Sequence, residues 1–198
     1  SSKSSSLFYK HAINFLKRRG INETDIKKHK IGFCDNGVYQ NRIIIPSYDD
    51  NGILNYFVGR SFMGDGMKYK NPNVSRDIIP FDWFIAWSYP IVLCEGVFDA
   101  ISIRTNAIPM LSKKPSQSLL RKIFEKKVKT IYIALDDDAK KDAYRLSEFF
   151  KDFGIDSKVV NLPKNEDPND LGFERMTNLI GDTISSSFSD MISARLYG

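Results

Sequence analysis

Apolar positions at the start of the chain recur at helical spacing. Leu7, Phe8, His11, Ala12, Phe15 and Leu16 fall near one face, so 7–19 predicts a helix with Gly20 just past its end. Asn22 or Thr24 then caps a short helix to about Lys30. The period changes at 42–46 and 53–58, two runs rich in β-branched and aromatic residues. Tyr48-Asp49-Asp50-Asn51-Gly52 lies between them, and Asn-Gly is a hairpin signal. Gly59-Arg60 closes the second run, and Gly64-Asp65-Gly66 marks another turn. The stretch 73–90 is transitional, with a short helix expected over 81–87 before Pro90.

Beyond Pro90 the pattern becomes regular. Apolar strands are expected at 91–94, 130–135 and 157–162, and helices at 97–105, 117–127, 139–153 and about 169–180. Alternating strands and helices imply a parallel sheet covered by helices. The fold expected is α/β: a small N-terminal α+β subdomain over 7–88, then a parallel-sheet subdomain over 89–175 with helices on both faces. A tail or the start of a further helical segment follows at 176–198.

Composition narrows the class. The chain has 198 residues, 42% of them hydrophobic, with 14 Phe and 9 Tyr, so disorder throughout is excluded. No apolar run reaches membrane-spanning length, and no apolar stretch follows Ser1–Ser6 as a leader would require. The first residue is not Met, which reads as the edge of something longer. Cys34 and Cys94 stand far apart with no CxxC and no Cys/His cluster, which argues against zinc and for a reducing cytoplasmic setting with two half-buried thiols. His11 and His29 are expected on the surface or a helix face, and nothing besides the Asn22-Glu23-Thr24 sequon suggests secretion.

Charge is uneven. Residues 1–76 carry 13 Lys/Arg against 6 Asp/Glu, whereas residues 91–170 carry 14 against 13. A basic front suits a polyanionic partner or, more plainly, a Lys-biased surface. The acids of the back half gather where function gathers in a parallel sheet, at the C-terminal ends of strands. One strand leads into Glu95-Gly96-Val97-Phe98-Asp99, a second into Asp136-Asp137-Asp138, a third toward Glu166-Asp167-Pro168-Asn169-Asp170. Asp136 and Asp138 point the same way if the backbone is extended, with Asp137 turned away. Two carboxylates ~4 Å apart repel by roughly 4 kcal/mol at an effective dielectric of 20, so one takes a proton or a hard cation sits between them. An all-oxygen donor set suits Mg²⁺ or Mn²⁺, and two such ions can clamp a phosphodiester reaction. A run of three Asp can equally be a solvated loop or a helix cap. GxSxG, P-loop and GxGxxG patterns are missing, which excludes an ATP-driven motor within this chain.

Glu95-Gly96-Val97-Phe98-Asp99-Ala100 followed by Leu135-Asp136-Asp137-Asp138-Ala139 resembles the Toprim fold of primases, topoisomerases and some nucleases. Upstream, 15–21, Ile31-Gly32-Phe33, 42–46, Asn51-Gly52, Gly59-Arg60 and Lys68-Tyr69 come in the order of DnaG-type primase catalytic cores, and 167–172 is similar to that family's closing Asp-Pro motif. The resemblance implies an enzyme that joins ribonucleoside triphosphates into an RNA primer on single-stranded DNA. It implies two or more Mg²⁺ or Mn²⁺ ions on Glu95, Asp136 and Asp138, supported by Asp99 and Asp167. It also implies a groove lined by Arg42, Arg60, Lys68 and Tyr69 that contacts template or incoming triphosphate.

The sequence departs from that family in places. Ser112-Lys113-Lys114 follows Leu111 where Gly is common, Lys140-Lys141 replaces a Gly after Asp138, and Asn169 stands where many relatives have Asp. The family's zinc module has no counterpart, and no helicase motif is present, so a replicative helicase would be a separate domain or protein. A phage origin is expected from the compact Lys/Asn/Ile-rich composition. The alternatives are a Toprim nuclease using the same acids, and a non-catalytic module binding single-stranded nucleic acid.

Overall fold

The computed structural model describes residues 2–64 and 66–197, with side chains from 7 to 184 except at 65. Asp65, central to the expected 64–66 turn, lies outside the described residues. The chain forms two compact units, one through Phe84 together with Ser116–Leu119, the other Ile85–Pro115 and from Leu120 onward.

The first unit opens with helix α1 (Ser2–Arg18), which buries Ala12 and Leu16, and Gly20 follows it at φ 69°. Helix α2 (Glu23–Lys28) begins at Asn22, which caps Asp25 N–H while Asp25 caps Asn22 N–H in return. Four antiparallel strands follow in sequential order: β1 (Gly32–Cys34), β2 (Arg42–Tyr48), β3 (Leu54–Ser61) and β4 (Tyr69–Lys70). The β2–β3 hairpin is closed by Asp49, whose Oδ1 accepts from Asn51 and Ile53 N–H, with Gly52 at φ 77°. Ile43, Ile45, Tyr56 and Val58 form the buried face of this hairpin.

The histidine expectation holds only in half. His11 is exposed, but His29 is buried, its ring 4.9 Å from Phe81 and 4.8 Å from Phe84. Burial, then the neighbouring Lys28 charge, holds its pKa down at about 4 despite an opposing pull from Asp25. The helix expected over 81–87 is a single tight turn, Asp82–Phe84.

The second unit contains a four-stranded parallel sheet in the order β6 (Ala107–Pro109), β5 (Ile91–Cys94), β7 (Thr130–Ala134), β8 (Asp156–Val159). Helices α3 (Val97–Ile103), α4 (Gln117–Glu125) and α5 (Lys140–Asp152) connect successive strands. All of β5 is buried, as a strand covered on both faces must be. Cys94 is accordingly fully buried, not half-buried as expected. The final helical stretch, α6 (Pro168–Tyr197), breaks at Gly172 (φ 70°, ψ −179°) and packs against α3. The mixed fold with a helix-flanked parallel sheet is the one the sequence predicts. The chain leaves β5 for β6 on one side and then passes to β7 on the other, so the sheet's switch point lies between the ends of β5 and β7.

Gly59 leaves no room for a side chain, because a Cβ would collide with the Lys70 carbonyl across the β3–β4 pair. Gly59→Ala is expected to destabilise the chain by about 1–3 kcal/mol, measured by urea unfolding, since the backbone of β4 must move aside.

Candidate metal centre and basic sheet

The switch point is where the acids converge. Glu95 follows β5, Asp136 follows β7, and one tight turn carries Asp138 beside them. Single carboxylate oxygens of Glu95, Asp136 and Asp138 lie within 4.8 Å of one another. The turn is closed by Ala139 N–H donating to the Asp136 carbonyl at 2.8 Å. Its backbone is a 3₁₀ turn over Asp137–Ala139, so the extended geometry expected for 136–138 is not what brings Asp136 and Asp138 together. Asp137 instead faces Lys140, 3.4 Å away.

At 4.8 Å each ionised pair repels by about 3.5 kcal/mol at an effective dielectric of 20. Burial, and then the charge on Asp136, push the Glu95 carboxyl above its ordinary range, against opposing pulls from Lys113 and the Asp136 backbone N–H. Asp136 is likewise raised, by burial first and then by Asp167 and Asp138. Glu95 Oε1 and Asp136 Oδ1 are both buried atoms without a hydrogen-bond partner. Oxygens in that condition need a proton or a cation. The donor set, oxygen only, with Glu95 and Asp136 half-buried and Asp138 exposed, fits a hard divalent ion.

Asp99 and Asp167 belong to the same electrostatic neighbourhood but sit differently. Asp99, on the first turn of α3, is buried and accepts from Gly96 N–H at 2.8 Å. Burial, then the charges of Asp167 and Asp136, raise its pKa to about 8. Gly96 is required here, since a Cβ would lie 2.9 Å from Asp99 Oδ2. Asp167 caps α6: its Oδ1 accepts from Asp170 N–H at 2.6 Å with Pro168 at the first helical position. Neither joins the three-oxygen cluster. Asn169 is buried on Ser102 Oγ at 2.6 Å and ties α6 to α3. Cys94, beside Glu95, is no nucleophile, because burial and the surrounding acids hold its thiol protonated.

The four basic-unit candidates do not share one face. Register pairs Arg60 with both Ile43 and Tyr69, whereas Arg42 opposes Ser61 and emerges on the other side of the sheet. Arg60 is nine-tenths buried between the Phe15 and Tyr69 rings, 5.5 and 4.8 Å from their centroids, and its Nε and Nη1 lack partners. Lys68 Nζ lies 5.8 Å from the Tyr69 ring. Arg42 is engaged by backbone, donating to the Met67 carbonyl at 2.9 Å. A hollow of about 550 Å³ lined by His11, Asn14, Lys17, Arg18 and Phe62 escaped the sequence reading. The Lys17-Arg18-Arg19 run was its signal, but only folding brings Phe62, just past the end of β3, into its lining.

Comparisons with known proteins agree with this architecture. The Toprim-like family matches residues 92–172. Protein MG010 of Mycoplasma genitalium, whose function is uncharacterized, is 30% identical over 176 residues, which cover 82% of this chain and 80% of that protein. A DNA primase of Clostridium acetobutylicum is 23% identical over 198 residues, covering 89% of this chain and a third (33%) of the primase. Among solved structures, the zinc-binding and RNA polymerase domains of Aquifex aeolicus primase superpose with a TM-score of 0.74 at 20% identity, over 87% of this chain and 55% of that one. A DnaG primase catalytic domain bound to single-stranded DNA gives 0.71 at 19% identity, over 85% and 73%. The chain belongs to the family of MG010, carries a Toprim-like domain, and has the fold of DnaG primase catalytic cores. Both curated relatives are bacterial, so the phage origin expected from composition gains no support. No helix among the described residues is long and apolar enough to cross a membrane.

Because Asp99 binds its proton more tightly folded than unfolded, the metal-free chain should lose stability as pH rises from about 4 toward 8, by up to about 1.4 kcal/mol per pH unit. Urea titrations in chelator between pH 5 and 8 should show this slope, and Asp99→Asn should flatten it.

Proposed function

We propose that the chain is a primase-type nucleotidyltransferase that joins ribonucleotides on a single-stranded DNA template. The observation that carries this reading is the meeting of Glu95, Asp136 and Asp138 at the switch point of a primase-like sheet, with two buried oxygens left unpaired. In the reaction a 3′-hydroxyl oxygen bonds to the α-phosphorus of an incoming triphosphate. The bond from that phosphorus to the bridging oxygen breaks, pyrophosphate leaves, and the hydroxyl proton passes to solvent or a nearby base. Mg²⁺ or Mn²⁺, once bound, would lower the charge at the attacking and leaving oxygens.

The residues of the chain have separate tasks. Glu95 and Asp136 would hold an inner cation and Asp138 an outer one. Asp99, anchored on Gly96 N–H, keeps the Glu95–Gly96 turn in place. Asp167 adds negative charge that favours cation entry. In the basic unit, Arg60 adds positive charge behind the Tyr69 ring, and Tyr69 offers a face on which a base can stack. Arg42 and Lys68 add charge for the same polyanion. Residues 7–88 would thus hold nucleic acid or nucleotide, and 89–175 carry out the chemistry. A replicative helicase would come from another domain or protein.

Incubation with single-stranded DNA, labelled ribonucleotides and Mg²⁺ or Mn²⁺ should yield short RNA. Asp136→Ala should reduce yield by about a hundredfold or more. Shortened DNA would identify a nuclease, and DNA retention without either product a binding module. Arg60→Ala should weaken DNA retention and lower its salt slope by about one.

A further inference from the structure

Lys113 sets a cation against the acidic cluster. Its Nζ lies 2.8 Å from Asp138 Oδ2, and its charge also acts on Glu95 and Asp136. The backbone puts it there. Beyond the end of β6, Met110 N–H donates to the Cys94 carbonyl at 2.8 Å and Leu111 N–H to the Glu95 carbonyl at 2.9 Å, so the two segments stay tied by backbone hydrogen bonds as far as Glu95. Leu111 then turns at φ 57°, a left-handed conformation that bulky residues avoid. Ser112 Oγ closes the turn, donating to the Lys114 carbonyl and accepting from Lys114 N–H at 3.2 Å. Chain direction after this turn carries Lys113 to Asp138.

We infer that Lys113 is a tethered counter-ion that occupies the Asp138 side of the cluster until a divalent cation displaces it, and thereby sets the affinity of the outer cation position. This rests on the metal reading above. A lysine ammonium and a hydrated cation compete for the same carboxylate oxygen, and the tether gives the ammonium a high local concentration. The pair is open to water, with Lys113 and Asp138 side chains 42% and 75% exposed, so exchange with ions in solution is unobstructed. Lys113 leaves Glu95 Oε1 and Asp136 Oδ1 unpaired. The inner position between those two oxygens therefore stays open to a divalent ion while Asp138 is held by lysine. Loading is sequential: an inner ion first, and Asp138 recruited only when Lys113 swings out.

Mn²⁺ binding to the full chain, counted by the spectroscopic signal of free Mn²⁺, tests this without any turnover. Lys113→Ala should tighten the weaker Mn²⁺ position about tenfold, because one opposing charge and one competitor are gone. Lys114→Ala, which changes net charge equally, should leave binding as in the unsubstituted chain. The gain should vanish in Lys113→Ala/Asp138→Asn. Equal binding in Lys113→Ala and the unsubstituted chain would overturn the inference, as would a gain that survives in full in the double variant. Absence of Mn²⁺ binding from every form, the unsubstituted chain included, would instead overturn the metal reading and the inference with it.

Discussion

Mutual repulsion among carboxylates at the ends of β5 and β7 governs the second unit. Unscreened, three ionised groups within 4.8 Å would push the strand ends apart. What holds them is apolar: Ile91, Leu93, Ile131 and Ile133 are fully buried in two adjacent parallel strands. The sheet can thus bury together groups that water would separate, and burial first, then mutual repulsion, raises the pKa values of Glu95, Asp136 and Asp99. A site that raises carboxyl pKa values by burial and crowding is poised to exchange protons for a divalent ion.

The supporting acids show how one residue type takes different tasks. Asp167 spends one oxygen on Asp170 N–H and so anchors the start of α6. Asp99 spends one on Gly96 N–H and so fixes the turn that presents Glu95. Both accept a backbone N–H at a helix start, and the charge of Asp167 is also felt at Asp136. Arg60 presents the converse case in the first unit: a cation buried among aromatic rings with donors left unpaired.

Much of this was legible in the sequence because the relevant patterns are local. Apolar runs at 91–94 and 130–135 read as buried strands, Asn51-Gly52 as a hairpin, and acids directly after strands as strand-end groups. What escaped depends on long-range contacts. β1 and β6 have three residues each, too few to show a period, and exist because β2 and β5 pair with them. His29 looks like a helix-end residue until Phe81 and Phe84 close over it. Arg42 and Arg60 look alike in sequence, and only the register separates their faces. The departure at 112–114 read as a loss of the family's glycine. In the fold, Leu111 adopts the left-handed conformation itself and Lys113 gains a partner.

A divalent-cation site at the Glu95 and Asp136 oxygens left unpaired in the folded chain is the feature on which the proposed chemistry rests. Anomalous diffraction from crystals of the chain soaked in Mn²⁺ addresses it directly. A peak within coordination distance of Glu95 Oε1 and Asp136 Oδ1 is the result expected. Crystals whose Mn²⁺ signal lies elsewhere, with those two oxygens hydrogen-bonded to each other through a shared proton, would contradict it.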